Sequence, residues 1–144
     1  MPDVNVLLAA HFAAHPHHDA ALAALTRLTA SPFCLSLLTL GGFVRIATHR
    51  AAFDPPGSLP DALAVVRELA RHPNATVIGP GVRHLDLFAE VCEATGATGK
   101  LVADAQHAAI AIEFACRWVT FDRDFERFRG FGLQLLLLGG ARDR

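Results

Sequence analysis

The sequence predicts an α/β domain with a parallel sheet and helices on both of its faces. Three observations carry that expectation. Short apolar runs rich in β-branched and aromatic residues alternate with longer amphipathic segments throughout the chain. Turn-forming groups such as Ser31-Pro32, His72-Pro73-Asn74 and Gly79-Pro80-Gly81 separate them. The 144 residues, 52% of them hydrophobic, suffice for one core, and no repeat, low-complexity tract or linker divides them, so one domain is expected over 1–144.

Taken in order, Asp3-Val4-Asn5-Val6-Leu7-Leu8 reads as a strand end or as the first turn of a helix; so short a run has no decisive period. Asp19 to Leu28 reads as a helix, with Asp19 as its N-cap and Leu22, Leu25 and Leu28 at helical spacing. Phe33 to Leu37 is a short strand. Thr39 can cap a helix over Leu40 to Thr48, in which Gly41 and Gly42 each cost about 1 kcal/mol against Ala. Phe43, Ile46 and Ala47 nevertheless share one face. After the Asp54-Pro55-Pro56-Gly57 loop, Ser58 or Pro60 opens a helix to Arg71, with Leu63, Val66, Leu69 and Ala70 inward. Ala75 to Ile78 is a strand, and Val82 to Thr95 a helix. A helix apolar nearly all round runs from Gly99 to about Cys116. Trp118 to Phe121 is a strand, Asp122 to Phe128 a turn with a short helical piece, and Leu133 to Leu138 a terminal strand. The tail after Gly139 is expected to fray.

Composition excludes several classes. No apolar run is long enough to cross a bilayer, and the N-terminus carries no secretory signal, so a cytoplasmic protein without a membrane partner is expected. Cys34, Cys92 and Cys116 are odd in number and widely spaced, which fits buried thiols better than a disulfide framework or a zinc site. Thirteen Lys and Arg against 14 Asp and Glu give a net charge of −1, so charge alone does not suggest nucleic-acid binding. No phosphate loop, nucleophile elbow or dinucleotide fingerprint is present.

The chemistry is carried by carboxylates. Asp104 lies in the first turn of the most apolar helix, where a charge needs a partner. Asp122 follows the strand Trp118 to Phe121 directly, at the carboxyl end where ligands bind in such folds. Asp3 can supply a third acid. Three such groups repel one another unless a divalent cation sits among them, and hard oxygen ligands suit Mg²⁺ or Mn²⁺. Taken singly, each acid has an ordinary explanation. Asp104 is favoured by the helix dipole, Asp122-Arg123-Asp124 is a polar turn, and Asp3 is a solvated terminus. His11, His15, His17 and His18 look like a metal cluster but lack any zinc spacing and read as a polar loop. His107, one turn after Asp104, reads as a buried, hydrogen-bonded side chain in preference to a general base. Arg45, Arg50, Lys100 and Arg123 line an RNA approach or are ordinary surface charges, with Arg45 the strongest of them.

Together the pieces match a family. Asp3 to Leu8, Phe43-Val44-Arg45-Ile46-Ala47-Thr48, Leu101-Val102-Ala103-Asp104-Ala105 with the helix end Ala111-Ile112-Glu113, and Val119-Thr120-Phe121-Asp122-Arg123-Asp124-Phe125 fall in the order and spacing of the PIN-domain ribonucleases. Within that family the chain resembles the VapC toxins of VapBC toxin–antitoxin pairs. The resemblance implies a three-layer α/β/α PIN-like fold around a mainly parallel sheet of four to five strands, Mg²⁺- or Mn²⁺-dependent RNA cleavage, inhibition by a small VapB-type antitoxin, and homodimerisation. It makes Asp3, Asp104 and Asp122 the metal-site acids, Asp124 an outer member, and Asn5 and Thr120 the groups that orient them.

Two departures stand out. Gly42 occupies the place where the family usually has a Glu, and neither Glu68 nor Glu90 is an obvious substitute. Only Met1 and Pro2 precede Asp3, and Pro2 cannot donate to a strand ladder. The rival readings are a PIN-like module that binds RNA or a partner without cutting, and a different metal-dependent phosphotransfer enzyme on the same layered fold.

Overall fold

The computed structural model describes residues 1–53 and 55–139; Asp54 and the tail after Gly139 lie outside the described residues. The helices are α1 (Val4–His11), α2 (His18–Thr29), α3 (Leu37–Ala47), α4 (Leu59–Arg71), α5 (His84–Thr95) and α6 (Lys100–Glu113). The strands are β1 (Phe33–Ser36), β2 (Ala75–Ile78), β3 (Trp118–Thr120) and β4 (Leu135–Leu137), with a 3₁₀ segment, Arg123–Phe131, between the last two.

Every strand pairing among the described residues is parallel, as the alternation of elements predicts, but the named strands form two two-stranded sheets and not one continuous sheet of four to five. β1 pairs with β2 from Phe33↔Ala75 to Ser36↔Ile78, and β3 with β4 from Trp118↔Leu135 to Thr120↔Leu137. A fifth segment joins β3 by a single parallel bridge, Pro2 beside Val119. The missing N–H of Pro2 costs nothing there. Val119 N–H donates to Met1 O (3.0 Å) and Asp3 N–H donates to Val119 O (2.9 Å), so both bonds flank the proline. Asp3 is still extended (φ −76°, ψ 161°) and α1 begins at the next residue. The opening run is therefore both things the sequence allows: one rung of strand, then a helix.

β3 separates two layers. Trp118 is fully buried with Ala105, Ala108 and Ile110 of α6 and with Phe125 and Phe128 of the 3₁₀ segment. Its neighbour Val119 points the other way, against Val6 and Ala9 of α1 and Ala21 and Ala24 of α2. Opposite faces of one strand thus bury against helices on both sides. A further apolar cluster, centred on Phe43 and Leu35, joins α1, β1 and α3.

Some boundaries differ from expectation for local reasons. α3 starts at Leu37, not after Thr39, because the Ser36 hydroxyl accepts from Leu38 N–H at 3.2 Å and caps the turn earlier. α2 starts at His18, which places Asp19 in its first turn and His17 at the cap position. It turns Ala21 and Ala24 inward, and Leu22 is 43% exposed. The alanines let α1 and α2 approach closely, and leucines on that face would hold them apart.

Candidate metal centre

The site forms where three chain segments meet. The rung at Pro2 delivers Asp3, the start of α6 delivers Lys100 and Asp104, and the end of β3 delivers Asp122, with Asp124 two residues on. Asp3, Asn5, Arg45, Lys100, Asp104, His107 and Asp122 line one cleft of about 360 Å³. A larger hollow of about 640 Å³, walled by Phe12, Phe53, Pro55 and Pro56, holds none of the four acids just named.

Thr120 organises one wall. Fully buried, its hydroxyl donates to Asp3 Oδ2 (2.6 Å) and accepts from Asn5 Nδ2 (2.9 Å) and from Asp122 N–H (2.9 Å). Asn5 Nδ2 also donates to Asp3 Oδ2 (2.9 Å), while Asn5 Oδ1 accepts from Phe121 N–H (3.3 Å). One hydroxyl and one amide therefore fix Asp3 and the backbone of Asp122 together. Burial nevertheless pushes the Asp3 carboxyl up to about 6; the Thr120 hydrogen bond and the amides of Val4 and Asn5 oppose this, and the Asp104 charge reinforces it.

The other wall is ionic. Carboxylate oxygens of Asp104, Asp122 and Asp124 all lie within 4.8 Å of one another. Lys100 Nζ sits among them, 2.8 Å from Asp122 Oδ2, 3.9 Å from Asp104 Oδ2 and 4.0 Å from Asp124 Oδ2. Only the first is a hydrogen bond; the other two are Coulombic contacts. Asp104 Oδ2 is buried and has no hydrogen-bond partner among the described residues. Burial, opposed by Lys100 and reinforced by Asp122 and Asp124, raises the Asp104 carboxyl above its ordinary range. Burial also pushes Asp122 upward, but the Lys100 hydrogen bond, the Asp124 amide and the nearby cations more than reverse it, and its carboxyl lies below that range. The hydrogen bond to Asp122 raises the Lys100 ammonium in turn. Asp122 Oδ1 accepts from Asp124 N–H at 2.8 Å, which caps the 3₁₀ segment and sets the position of Asp124.

The donor set fits a hard divalent cation. It offers carboxylate oxygens from three side chains, one of them a buried, unbonded oxygen that already faces a positive charge.

Each sequence-predicted residue has a definite place. Asp104, Asp122 and Asp124 converge, and Asp124 is as close as the others. Asp3 borders the same cleft but stands outside that triplet, held by Thr120 and Asn5. Arg45 lines the cleft from α3. Gly42 sits where α3 crosses α1, and a Cβ there would lie 2.9 Å from Val4 Cγ2. A Glu at 42 would therefore require Val4 to move. His107 lines the cleft, but its Nδ1 is buried without the hydrogen bond expected of it, and its ring stacks on Trp118 at 5.3 Å. Burial lowers its imidazole to about 4. The other histidines do not converge: His15 Nδ1 accepts from His17 N–H, His18 Nδ1 bonds with Ala9 O, and His17 stacks on Phe121. Glu113 serves elsewhere, accepting from the amides of Gly81 and Arg83 (3.0 and 2.8 Å) and fixing the loop before α5. Lys100 holds a central place that the sequence pattern does not single out. Its signal was the i,i+4 spacing to Asp104 on one helix face.

Comparison with known proteins identifies the family. The PIN-domain family model matches residues 1–130. The chain belongs to the PIN-domain family. Within it, Ribonuclease VapC25 of Mycobacterium tuberculosis is 41% identical over 128 residues, covering 88% of this chain and 90% of that protein. The VapC ribonuclease Mb2897 of Mycobacterium bovis is 39% identical over 129 residues, covering 88% of each. Among solved structures, VapBC2 from Rickettsia felis, bound to a DNA fragment from its promoter, superposes with a TM-score of 0.67 at 17% identity, covering 96% of this chain and 97% of that one. The PIN fold is thus common to the chain and to structures of far lower sequence identity, and its VapC relatives span nearly its whole length.

Proposed function

We propose that this PIN-domain protein is a Mg²⁺- or Mn²⁺-dependent endoribonuclease toxin, neutralised by a small VapB-type antitoxin in the cytoplasm and active as a homodimer. The observation that carries the reading is the convergence of Asp104, Asp122 and Asp124 around one point, with Asp104 Oδ2 buried and unbonded. The VapC ribonuclease names of the curated relatives and the VapBC complexes among the structural neighbours support RNA and the antitoxin as partners.

Asp3, Asp104 and Asp122 are the acids assigned to the metal, with Asp124 completing the set. A divalent ion held there supplies Lewis acidity and lowers the pKa of a bound water. The chain's own groups do the rest. Thr120 and Asn5 hold Asp3 in one orientation, so its carboxylate needs no reorganisation when it is called on. Arg45, which lines the cleft from α3, presents a guanidinium to phosphate oxygens.

A second reading rests on Gly42. With the family's usual Glu absent and Val4 closing that space, the site has one acid fewer, which favours a weakened module that binds RNA or a partner without cutting it. One assay decides. Structured RNA is incubated with the purified chain in Mg²⁺, Mn²⁺ or EDTA, beside Asp104→Asn. Cleavage that requires metal and falls at least ~100-fold in the variant is expected. Tight RNA binding with no cleavage at any metal would favour the module.

A further inference from the structure

We propose that Lys100 is a displaceable counter-ion of the acid cluster: it holds the place of the divalent cation until one arrives, then turns to the RNA phosphodiester. This rests on the metal-dependent reading above and names a residue that reading leaves without a role. The Lys100 ammonium occupies the point on which Asp104, Asp122 and Asp124 converge, at 3.9, 2.8 and 4.0 Å. Three carboxylates and one ammonium leave the cluster two charges negative, and exchanging the ammonium for a divalent ion reduces this to one. A cation coordinating Asp122 Oδ2 at about 2 Å cannot share that oxygen with an ammonium without bringing two like charges within a few ångströms. One of them must leave.

Lys100 is built to leave. Its side chain is 70% exposed, so the displaced ammonium moves into water and not into the core. It stands at the first position of α6, after Gly99 with its positive φ (+55°), and only its four-carbon stem needs to rotate. An exposed ion pair of this kind stabilises the fold weakly, so releasing it costs little. The stem stays anchored at the cleft edge, and Arg45 stands on the cleft lining contributed by α3. A phosphodiester entering the loaded cleft would then meet a positive side chain from each of two helices.

Two measurements with opposite expected signs test this. Mn²⁺ binding to the full chain, followed by titration calorimetry without RNA, is expected to tighten about 3- to 10-fold in Lys100→Met, because a competing cation is removed. Binding of a structured RNA in Ca²⁺, a hard cation that fills oxygen sites but activates water poorly, followed by fluorescence anisotropy, is expected to weaken several-fold in the same variant, with a salt dependence shallower by about one phosphate contact. Lys100→Arg keeps the charge and is expected to stay within about 2-fold of wild type in both. Unchanged or weaker Mn²⁺ binding in Lys100→Met would mean that the lysine braces the acids instead of competing with the ion. Unchanged RNA binding would equally overturn the proposal. Asp104→Asn separates the two levels. If wild type and Asp104→Asn bind Mn²⁺ alike, the metal reading itself fails; if only Asp104→Asn loses the ion and Lys100→Met gains nothing, this inference alone fails.

Discussion

The two walls of the cleft hold their acids in different ways. On one, Asp3 is buried and fixed by the Thr120 hydroxyl and the Asn5 amide, at 2.6 and 2.9 Å. On the other, Asp122 and Asp124 reach toward solvent and are held by the side chains of Lys100 and Arg127. Asp104 stands between them, buried like Asp3 yet facing Lys100 like Asp122. Hydrogen bonds in a dry setting are directional and costly to lose, whereas exposed ion pairs are cheap to make and to break. The first wall therefore sets geometry, and the second neutralises charge until something else does. A metal site needs both: ligands that do not wander, and a counter-charge that can be exchanged.

The largest effect expected from the buried wall is on stability against pH. The folded chain holds the Asp3 proton more tightly than the unfolded chain, up to about 6 against 3.8, so that contribution is complete below pH 3.8 and is lost as pH rises through about 6. His107 has the opposite sign. Its folded value is about 4 against 6.5, so its contribution is complete above pH 6.5 and is lost as pH falls toward 4. At about 1.4 kcal/mol per pH unit, each amounts to on the order of 3 kcal/mol, and between pH 4 and 6 they offset one another. In EDTA, Asp3→Asn is expected to gain stability relative to wild type as pH rises from 4 to 6.5, and His107→Leu to lose it. Urea titrations at both pH values measure the difference, and parallel slopes for all three proteins would show that neither group is as buried as described.

Next in size is Thr120→Val, which preserves shape and removes the hydroxyl. Asp122 N–H loses its acceptor, Asp3 loses its shortest hydrogen bond, and Asn5 loses one of two acceptors. A loss of about 2 kcal/mol of stability is expected, together with about 10-fold weaker metal-dependent cleavage. Equal stability with full activity would mean that the buried wall does not set the geometry.

Much of the site was legible because its signals are local. The 3.6-residue period placed Asp104 near the start of a buried helix, although α6 begins at Lys100 and so puts Asp104 in its second turn and not its first, and the apolar run Trp118 to Phe121 placed Asp122 at a strand end. What stayed hidden depends on pairs far apart in the chain. Nothing near Thr120 tells that its hydroxyl meets Asp3 across 117 positions. Nor does anything near Gly42 tell that Val4 fills the space beside it. The spacing of Leu22, Leu25 and Leu28 shows the period of α2, but only the approach of α1 shows that Ala21 and Ala24 are its most buried residues. Lys100 lay between these cases: its spacing to Asp104 was visible, but the three-way meeting needed the turn after β3.

The smallest expected effect belongs to the exposed wall. Arg127 pairs with Asp124 at 3.3 Å, one turn apart, and its Nε donates to Asp124 O at 3.0 Å. Both groups are about half exposed, so water already screens the pair, and the side-chain entropy of holding a long arginine offsets most of the attraction. Arg127→Ala is therefore expected to change stability by less than about 0.5 kcal/mol, several-fold less than Thr120→Val. The same substitution removes one positive charge beside the acids and should make Mn²⁺ binding slightly tighter, by a factor below about 2, and less so at high salt. Denaturation and calorimetry on one preparation give both values. A stability loss above about 1.5 kcal/mol would place Arg127 with Thr120 as part of a rigid frame, and the contrast between a fixed wall and an exchangeable one would not hold.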